Sequence, residues 1–279
     1  MADPLRPKIE VTLVFLLAVL TSGLYLLSAP DSLLNKPCGD CEGGYLAFVN
    51  NFLDGKGWVG VDGTFNAIRP PGHSLFLIPL VWISKIYGLS TTTVFLVSNT
   101  LLNGISAVLL LIMARQYYSH WTRIVVPITW ISCPFILWFL NQPYPELPFF
   151  VAFYSFIYCW IKLTRCCYQS ITLALVCGIT FGVATMIRPS TLGLAGVFLV
   201  LSFWDQKHLL RSSAGLAKNM LAFALGLALM TVPWSVVVYQ KTGSVIYVTD
   251  GKLSVNGLLN GMFFGIDELE NKASIKLPD

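Results

Sequence analysis

The chain has 279 residues, of which 55% are hydrophobic and only 11% are charged, and its formal net charge is +4. This composition lies far outside the range of soluble globular domains and indicates an integral membrane protein with several spanning segments. The basic residues are spread over short loops and form no concentrated patch, so we expect no nucleic acid among the partners.

Segments free of Asp, Glu, Lys and Arg mark the candidate spans in chain order. They are 11–30, 70–84, 86–114, 124–145, 147–161, 166–187, 189–204 and 219–240. A helix needs about 20 apolar residues to cross the hydrocarbon layer, with a lower limit near 17. The runs at 70–84, 147–161 and 189–204 are therefore marginal in length.

The orientation of the spans is predicted from the basic residues in the loops. The first run lacks a signal-peptide cleavage site and is long for a signal-peptide core, so we interpret it as an uncleaved anchor with a cytoplasmic amino terminus. The loops 115–123, 162–165 and 205–218 carry Lys and Arg and are predicted to be cytoplasmic. The loop 31–69 then faces the periplasm or an organelle lumen.

This orientation allows only one crossing between the outer loop and the basic loop 115–123. We therefore predict that residues 70–87 form a short re-entrant or interfacial helix ending near Lys85 and Tyr87, followed by one long span. The alternative is that the count of basic residues places one of the loops on the wrong side of the membrane. The predicted fold is an all-α integral membrane bundle of about seven full spans plus this short helix.

Acidic residues are rare in the apolar part of the chain. Glu146 is the single carboxylate between Asp62 and Asp205. A carboxylate at membrane depth is costly and usually faces a cavity or a pathway, although an interfacial Glu that stabilises a helix N-terminus is the alternative. Asp54 and Asp62 lie beside glycines, and we predict that they are turn residues.

Five segments carry a resemblance to a known family. After an acidic pair in the first outer loop they are, in order, "YLAFVNNFLDGKGW", "RPPGHSLFLIPL", "YPELPFF", "TMIRPSTLGL" and "TVPWSVVVYQKTGSVIYV". Their order and spacing over about residues 10–265 resemble the polytopic lipid-phosphosugar glycosyltransferases of the GT-C fold. That family includes protein O-mannosyltransferases and the aminoarabinose transferase of lipid A.

The resemblance implies a function: inverting transfer of a sugar from a polyprenyl-phosphate donor to a lipid, glycan or protein acceptor at the outer face. Asp40 matches the position of the family's catalytic acid and is the candidate base. Glu42 would assist it or bind a metal ion. No cofactor is certain, and dependence on a divalent metal is left open.

The remaining candidates surround the donor. Arg69 and Arg188 are predicted to bind the donor phosphate, because a guanidinium group offers paired planar donors and a permanent charge. Snorkelling to the membrane interface is the alternative for both. Tyr45, His73 and Glu146 are further active-site candidates. The predicted module is 1–240, with 31–69 as its outer catalytic loop.

The chain also departs from the family pattern. His73 stands where the family has Tyr, and Ser235 and Val236 stand where it has an Arg-Asn pair. The tail 241–279 is expected to be the start of a region that is missing here. The alternative function is a non-enzymatic membrane protein, either a catalytically silent truncated remnant or a transporter. A transporter should show paired halves with broken helices, and the sequence has no internal repeat.

Overall fold

The computed structural model describes residues 6–30, 42–65, 67, 69–166, 170–208 and 213–244, and every regular element within these ranges is helical. The elements are α1 (Arg6–Ser28), a π-helical turn (Glu42–Leu46), α2 (Ala47–Leu53), α3 (Gly72–Tyr87), α4 (Thr91–Ala114), α5 (His120–Ile131), α6 (Pro134–Trp138), α7 (Glu146–Arg165), α8 (Ile171–Ile187), a 3-10 turn (Pro189–Thr191), α9 (Leu192–His208) and α10 (Ser213–Thr242). The predicted all-α class is confirmed for this part of the chain. Asp40 and the tail after Ser244 lie outside the described residues.

Among the described residues, four helices are long and apolar enough to cross a membrane, which fits an integral membrane protein. They are Lys8–Ser28, Thr91–Ala114, Glu146–Arg165 and Ala217–Thr242. Of two shorter apolar segments, Ile171–Ile187 has 17 residues and is at the lower limit for a span, whereas Pro189–Phe198 is below it. The count of about seven full spans stays a prediction.

The short helix expected over 70–87 is present. Helix α3 runs from Gly72 to Tyr87, and Gly88 ends it with φ 63°, a left-handed conformation that glycine adopts without strain. Helix α4 begins at Thr91, so one long helix follows the short one, as the charge pattern predicts.

The apolar run 124–145 is not a single helix, and its crossing of the membrane stays a prediction. Helix α5 ends at Ile131, and Cys133 is extended, with φ −71° and ψ 118°, immediately before Pro134. A proline disfavours helical geometry in the residue before it and cannot donate to the preceding turn. Only the short α6 follows before an irregular segment leads to Glu146.

Helices α8 and α10 pack backbone to backbone through glycines. A β-carbon on Gly178 would overlap the carbonyl oxygen of Phe223, and one on Gly226 would overlap that of Leu175. Small residues allow such close approach and are typical of helix interfaces in membranes, where packing replaces the hydrophobic effect.

A buried polar network joins α1, α4 and α5. Asn103 donates from Nδ2 to Ser22 Oγ at 2.9 Å, and its Oδ1 accepts from Trp130 Nε1 at 2.9 Å. Asn103 and Ser22 are fully buried. The network satisfies polar groups that would otherwise be unpaired inside an apolar bundle.

One end of the bundle is held by an ion cluster. Glu10, near the start of α1, accepts hydrogen bonds from Arg115 at 2.9 Å and from Arg123 at 2.6 Å. Arg165, the last residue of α7, donates to the carbonyl of Gln116 at 2.7 Å. The predicted site residues lie at the opposite end, where α7 begins and α8 ends.

Candidate functional site

The two Arg-Pro motifs of the sequence meet at a contact between helix ends. Helix α3 starts at Gly72, directly after Arg69-Pro70-Pro71, and Gly72 packs on the last residues of α8. A β-carbon on Gly72 would overlap the carbonyl oxygen of Met186 and would lie 2.9 Å from the amide nitrogen of Ile187. Arg188 follows Ile187 in extended conformation. The contact between Gly72 and the end of α8 therefore fixes the position of the Arg69-Pro70 motif relative to the Arg188-Pro189 motif.

Arg69 lies against the π-helical turn that precedes α2. Its guanidinium carbon is 4.7 Å from the centre of the Tyr45 ring, a cation–π geometry. A β-carbon on Gly44 would come within 2.8 Å of the same guanidinium carbon, so a larger residue there would displace the end of the Arg69 side chain. Ser74 donates from Oγ to the carbonyl of Tyr45 at 3.3 Å and ties the turn to α3.

His73 is the central buried side chain of this region. It is 1% exposed, and its Nε2 lies 2.7 Å from the carbonyl oxygen of Pro143. Because a carbonyl can only accept, Nε2 carries the proton of this hydrogen bond. The ring of Tyr45 meets the imidazole edge-on with centroids 4.7 Å apart.

Burial lowers the pKa of His73 to about 4, and the nearby positive charges of Arg188 and Arg69 act in the same direction. The hydrogen bond to Pro143 opposes this shift. The imidazole is therefore neutral at physiological pH. Its Nδ1 is a buried acceptor without a hydrogen-bond partner among the described residues.

Arg188 and Glu146 form an ion pair between the end of α8 and the start of α7. Arg188 donates from a terminal guanidinium nitrogen to Glu146 Oε1. The Glu146 side chain is 12% exposed and that of Arg188 is 43% exposed. Glu146 Oε2 is buried and finds no hydrogen-bond partner in the described part of the chain. The guanidinium group also lies 6.0 Å from the centre of the Phe149 ring.

The position of Pro143 is set by an asparagine, a residue that was not among the predicted site residues. Asn99, buried in α4, donates from Nδ2 to the carbonyls of Leu140 at 3.1 Å and Gln142 at 2.8 Å. These bonds hold the irregular segment after α6 so that Pro143 faces His73. A polar side chain within a long apolar run was the available signal.

The aromatic segment after α2 packs on α10 beside this region. Trp58 stacks on Phe48 with centroids 5.4 Å apart and meets Trp234 edge-on at 5.9 Å. Trp234 belongs to a buried cluster that also contains Met186, the residue in contact with Gly72. The Pro-Trp segment of α10 therefore joins the same assembly as the two Arg-Pro motifs.

Two acids of the predicted outer loop have structural partners. Asp62 accepts from Thr64 through N–H at 3.1 Å and Oγ1 at 2.6 Å, which closes a turn and lowers the pKa of Asp62. Asp54 forms an exposed ion pair with Lys85 at 3.3 Å. These contacts agree with the prediction that both acids are turn residues.

The structure brings together Arg69, Tyr45, His73, Glu146 and Arg188. Asp40 lies outside the described residues, and Glu42 is described only as the first residue of the π-helical turn. Within the described ranges, no three His, Cys, Asp or Glu side chains lie close enough to hold a metal ion. Comparison of the chain with family models, curated proteins and solved structures finds no match.

Proposed function

We propose that this chain is a membrane glycosyltransferase with a GT-C-like bundle. It transfers a sugar, with inversion, from a polyprenyl-phosphate donor to a lipid, glycan or protein acceptor on the periplasmic or lumenal face. The observation that carries the proposal is the position of Arg69 and Arg188, from two separate Arg-Pro motifs, around the buried His73.

The two arginines are suited to bind one phosphate group. Arg188 is about half exposed while it is paired with Glu146, and a guanidinium group has five N–H donors, so donors remain for an anion. Arg69 uses the face of its guanidinium group against Tyr45. The contact with Tyr45 involves the face of the guanidinium group and none of its in-plane N–H donors, which are the groups that recognise phosphate oxygens.

The proposed reaction is a single displacement. The acceptor hydroxyl oxygen bonds to the anomeric carbon while the bond from that carbon to the phosphate oxygen breaks. The proton of the hydroxyl passes to Asp40, and the polyprenyl phosphate leaves with the electron pair and one more negative charge. Arg69 and Arg188 would stabilise this charge as it develops.

Asp40 precedes the π-helical turn by two residues in the sequence, and this turn carries Tyr45 to His73. Glu42, the first residue of the turn, is proposed to assist the base or to bind a divalent metal ion. The assay therefore includes a set of membranes treated with EDTA and then supplied again with Mg²⁺ or Mn²⁺. Loss and recovery of transfer would assign the metal, and unchanged transfer would remove it from the proposal.

The test is sugar transfer from a set of polyprenyl-phosphate sugars in membranes that contain the wild type or Asp40→Asn at matched expression. We expect Asp40→Asn to lose about 100-fold or more, the usual effect of removing a general base. Asp62→Asn is the matched control, since it makes the same chemical change at an exposed turn acid of the same loop. It should retain wild-type transfer.

The alternative is a protein in which this assembly is only structural. One observation favours it, because Arg188 and Glu146 already neutralise each other and tie α8 to α7. A folded wild type that is inactive with every donor would favour this alternative. An active wild type with an equally active Asp40→Asn variant would retain the glycosyltransferase but reject Asp40 as its base.

A further inference from the structure

The imidazole of His73 offers an unused hydrogen-bond acceptor in the middle of the candidate site. Its Nε2–H is committed to the Pro143 carbonyl at 2.7 Å, so Nδ1 has a lone pair and no proton. Nδ1 is fully buried and has no partner among the described residues. Buried polar atoms are normally hydrogen-bonded, so an unfilled one at a candidate site calls for a ligand or an ordered water.

Glu146 offers a second acceptor of the same kind. Its Oε1 is bound by Arg188, while Oε2 is buried without a partner in the part of the chain that the structure describes. Glu146 follows Pro143 by three residues, and the charge of Arg188 reaches His73 as well as Glu146. Arg188 therefore lies close to both residues that carry an unfilled acceptor.

The surroundings limit the groups that can fill these acceptors. Both atoms can only accept, so the ligand must supply hydrogen-bond donors. The two positive charges of Arg69 and Arg188 exceed the single negative charge of Glu146, so a neutral donor is favoured there over an ammonium group. Neutral hydroxyl groups meet both conditions.

We propose that His73 Nδ1 and Glu146 Oε2 form a hydroxyl-binding subsite that recognises the sugar of a phosphate-linked lipid. This inference rests on the proposed function and deepens it, because it identifies the residues that separate a glycosylated donor from a bare phosphate lipid. His73 acts here as a binding residue, and its neutral form is the one that accepts.

Tyr45 contacts both His73 and Arg69. Its ring meets the imidazole edge-on, and the guanidinium carbon of Arg69 lies 4.7 Å from the ring centre. Tyr45 belongs to a π-helical turn. This geometry is rare in proteins overall, and where it occurs it is often at a functional site.

The test compares two phosphodiesters of equal charge and equal chain length. Dodecyl methyl phosphate has no hydroxyl group, whereas a set of dodecyl phosphohexoses differ from it only in the sugar. Binding to the purified full chain in detergent is measured by calorimetry. We expect at least one phosphohexose to bind the wild type about tenfold more tightly than dodecyl methyl phosphate, the range of one or two good hydrogen bonds.

Two variants separate the nitrogens of His73. Gln at this position can still donate to Pro143 but has no polar atom at the place of Nδ1. In His73→Gln the ratio of the two affinities, phosphohexose over dodecyl methyl phosphate, should therefore fall from about ten to nearly one. Asn places a polar atom near the position of Nδ1 and loses the contact with Pro143. His73→Asn should keep more of the preference even where it lowers stability. A ratio measured within one variant is independent of the folded fraction.

Each outcome has a definite meaning. Equal binding of both ligands by the wild type would overturn the subsite and leave recognition of phosphate lipids intact. An unchanged preference in His73→Gln would overturn the role of His73. Binding of neither ligand by the wild type would overturn the proposed function together with this inference.

Discussion

Gly72 and Met186 are in direct backbone contact, with no room for a β-carbon between the start of α3 and the carbonyl oxygen of Met186. Arg69 lies three residues before Gly72, and Arg188 lies two residues after Met186. The contact therefore sets the relative positions of the two arginines. Close packing therefore explains why the Arg-Pro-Pro-Gly motif ends in glycine, and no special turn conformation is needed to explain it.

The first prediction concerns this contact. Gly72→Ala should lower the free energy of unfolding by about 1–3 kcal/mol, since the new methyl group must push backbone away from backbone. Thermal unfolding in detergent measures the effect. Gly23→Ala in α1 is the control, because a β-carbon there meets nothing within 4 Å. That variant should be as stable as the wild type or up to about 1 kcal/mol more stable.

If Gly72→Ala were as stable as the control, the close approach of α3 and α8 would not be maintained in the membrane protein. Binding of dodecyl phosphate gives a second measurement on the same two variants. We expect it to weaken in Gly72→Ala alone, because the displaced α3 carries Arg69 and His73 away from Arg188.

The second prediction concerns the ion pair. Arg188→Ala should be more destabilising than Glu146→Gln, because it leaves a carboxylate that is only 12% exposed without its counter-charge. We expect about 1–3 kcal/mol for Arg188→Ala, below the cost of breaking a fully buried pair, since Arg188 itself is 43% exposed. Glu146→Gln leaves Arg188 able to turn toward solvent and should cost less.

The double variant Arg188→Ala/Glu146→Gln supplies the control for this comparison. It should recover part of the stability lost in Arg188→Ala, because the uncompensated charge is gone. Unfolding titrations of the four proteins give the coupling free energy directly. Additive effects would mean that the pair contributes nothing to stability in the folded protein.

The third prediction concerns the polar network of Asn103. Asn103→Leu should destabilise the protein by roughly 0.5–2 kcal/mol, the range of hydrogen bonds between membrane helices, because Ser22 and Trp130 lose their shared partner. Thr21→Ala is the control on α1. Its hydroxyl donates to the carbonyl of Leu17 one turn earlier in the same helix. A loss of equal size in both variants would show that the network has no special role.

Local sequence patterns predict the membrane class, the short helix α3 and the turn roles of Asp54 and Asp62. Each of these follows from composition, from the charge count of neighbouring loops or from adjacent glycines. Pro134 lies within the run 124–145 and indicates a break in the helix there. The prediction gave more weight to the absence of charged residues from the run.

Pairings over long sequence distances were beyond the sequence analysis. Arg115 and Arg123 were interpreted as topological signals, whereas they bind Glu10, about a hundred residues earlier in the chain. Asn99 and its carbonyl partners were missed for the same reason. Which polar groups meet depends on helix packing, and a sequence of apolar runs does not determine that packing. The roles of Arg69, His73 and Arg188 stay predictions.

The last prediction concerns the pH dependence of stability. The pKa of His73 is about 4 in the folded protein and about 6.5 in an unfolded chain. Between these values the unfolded chain holds a proton that the folded protein lacks, so stability falls as the pH is lowered from about 6.5 to about 4. The difference in pKa corresponds to about 3 kcal/mol.

Tyr45 from the π-helical turn contacts His73, the charges of Arg69 before α3 and Arg188 after α8 act on it, and Glu146 on α7 is paired with Arg188. All of them remain in His73→Gln, which also retains a donor for Pro143. Chemical unfolding of this variant and of the wild type is measured from pH 4 to 7.5. The stability of the wild type relative to the variant should increase through the window from 4 to 6.5 and stay constant above it. Parallel curves would show that His73 is solvated in the folded protein, and its Nδ1 would then already be satisfied by water.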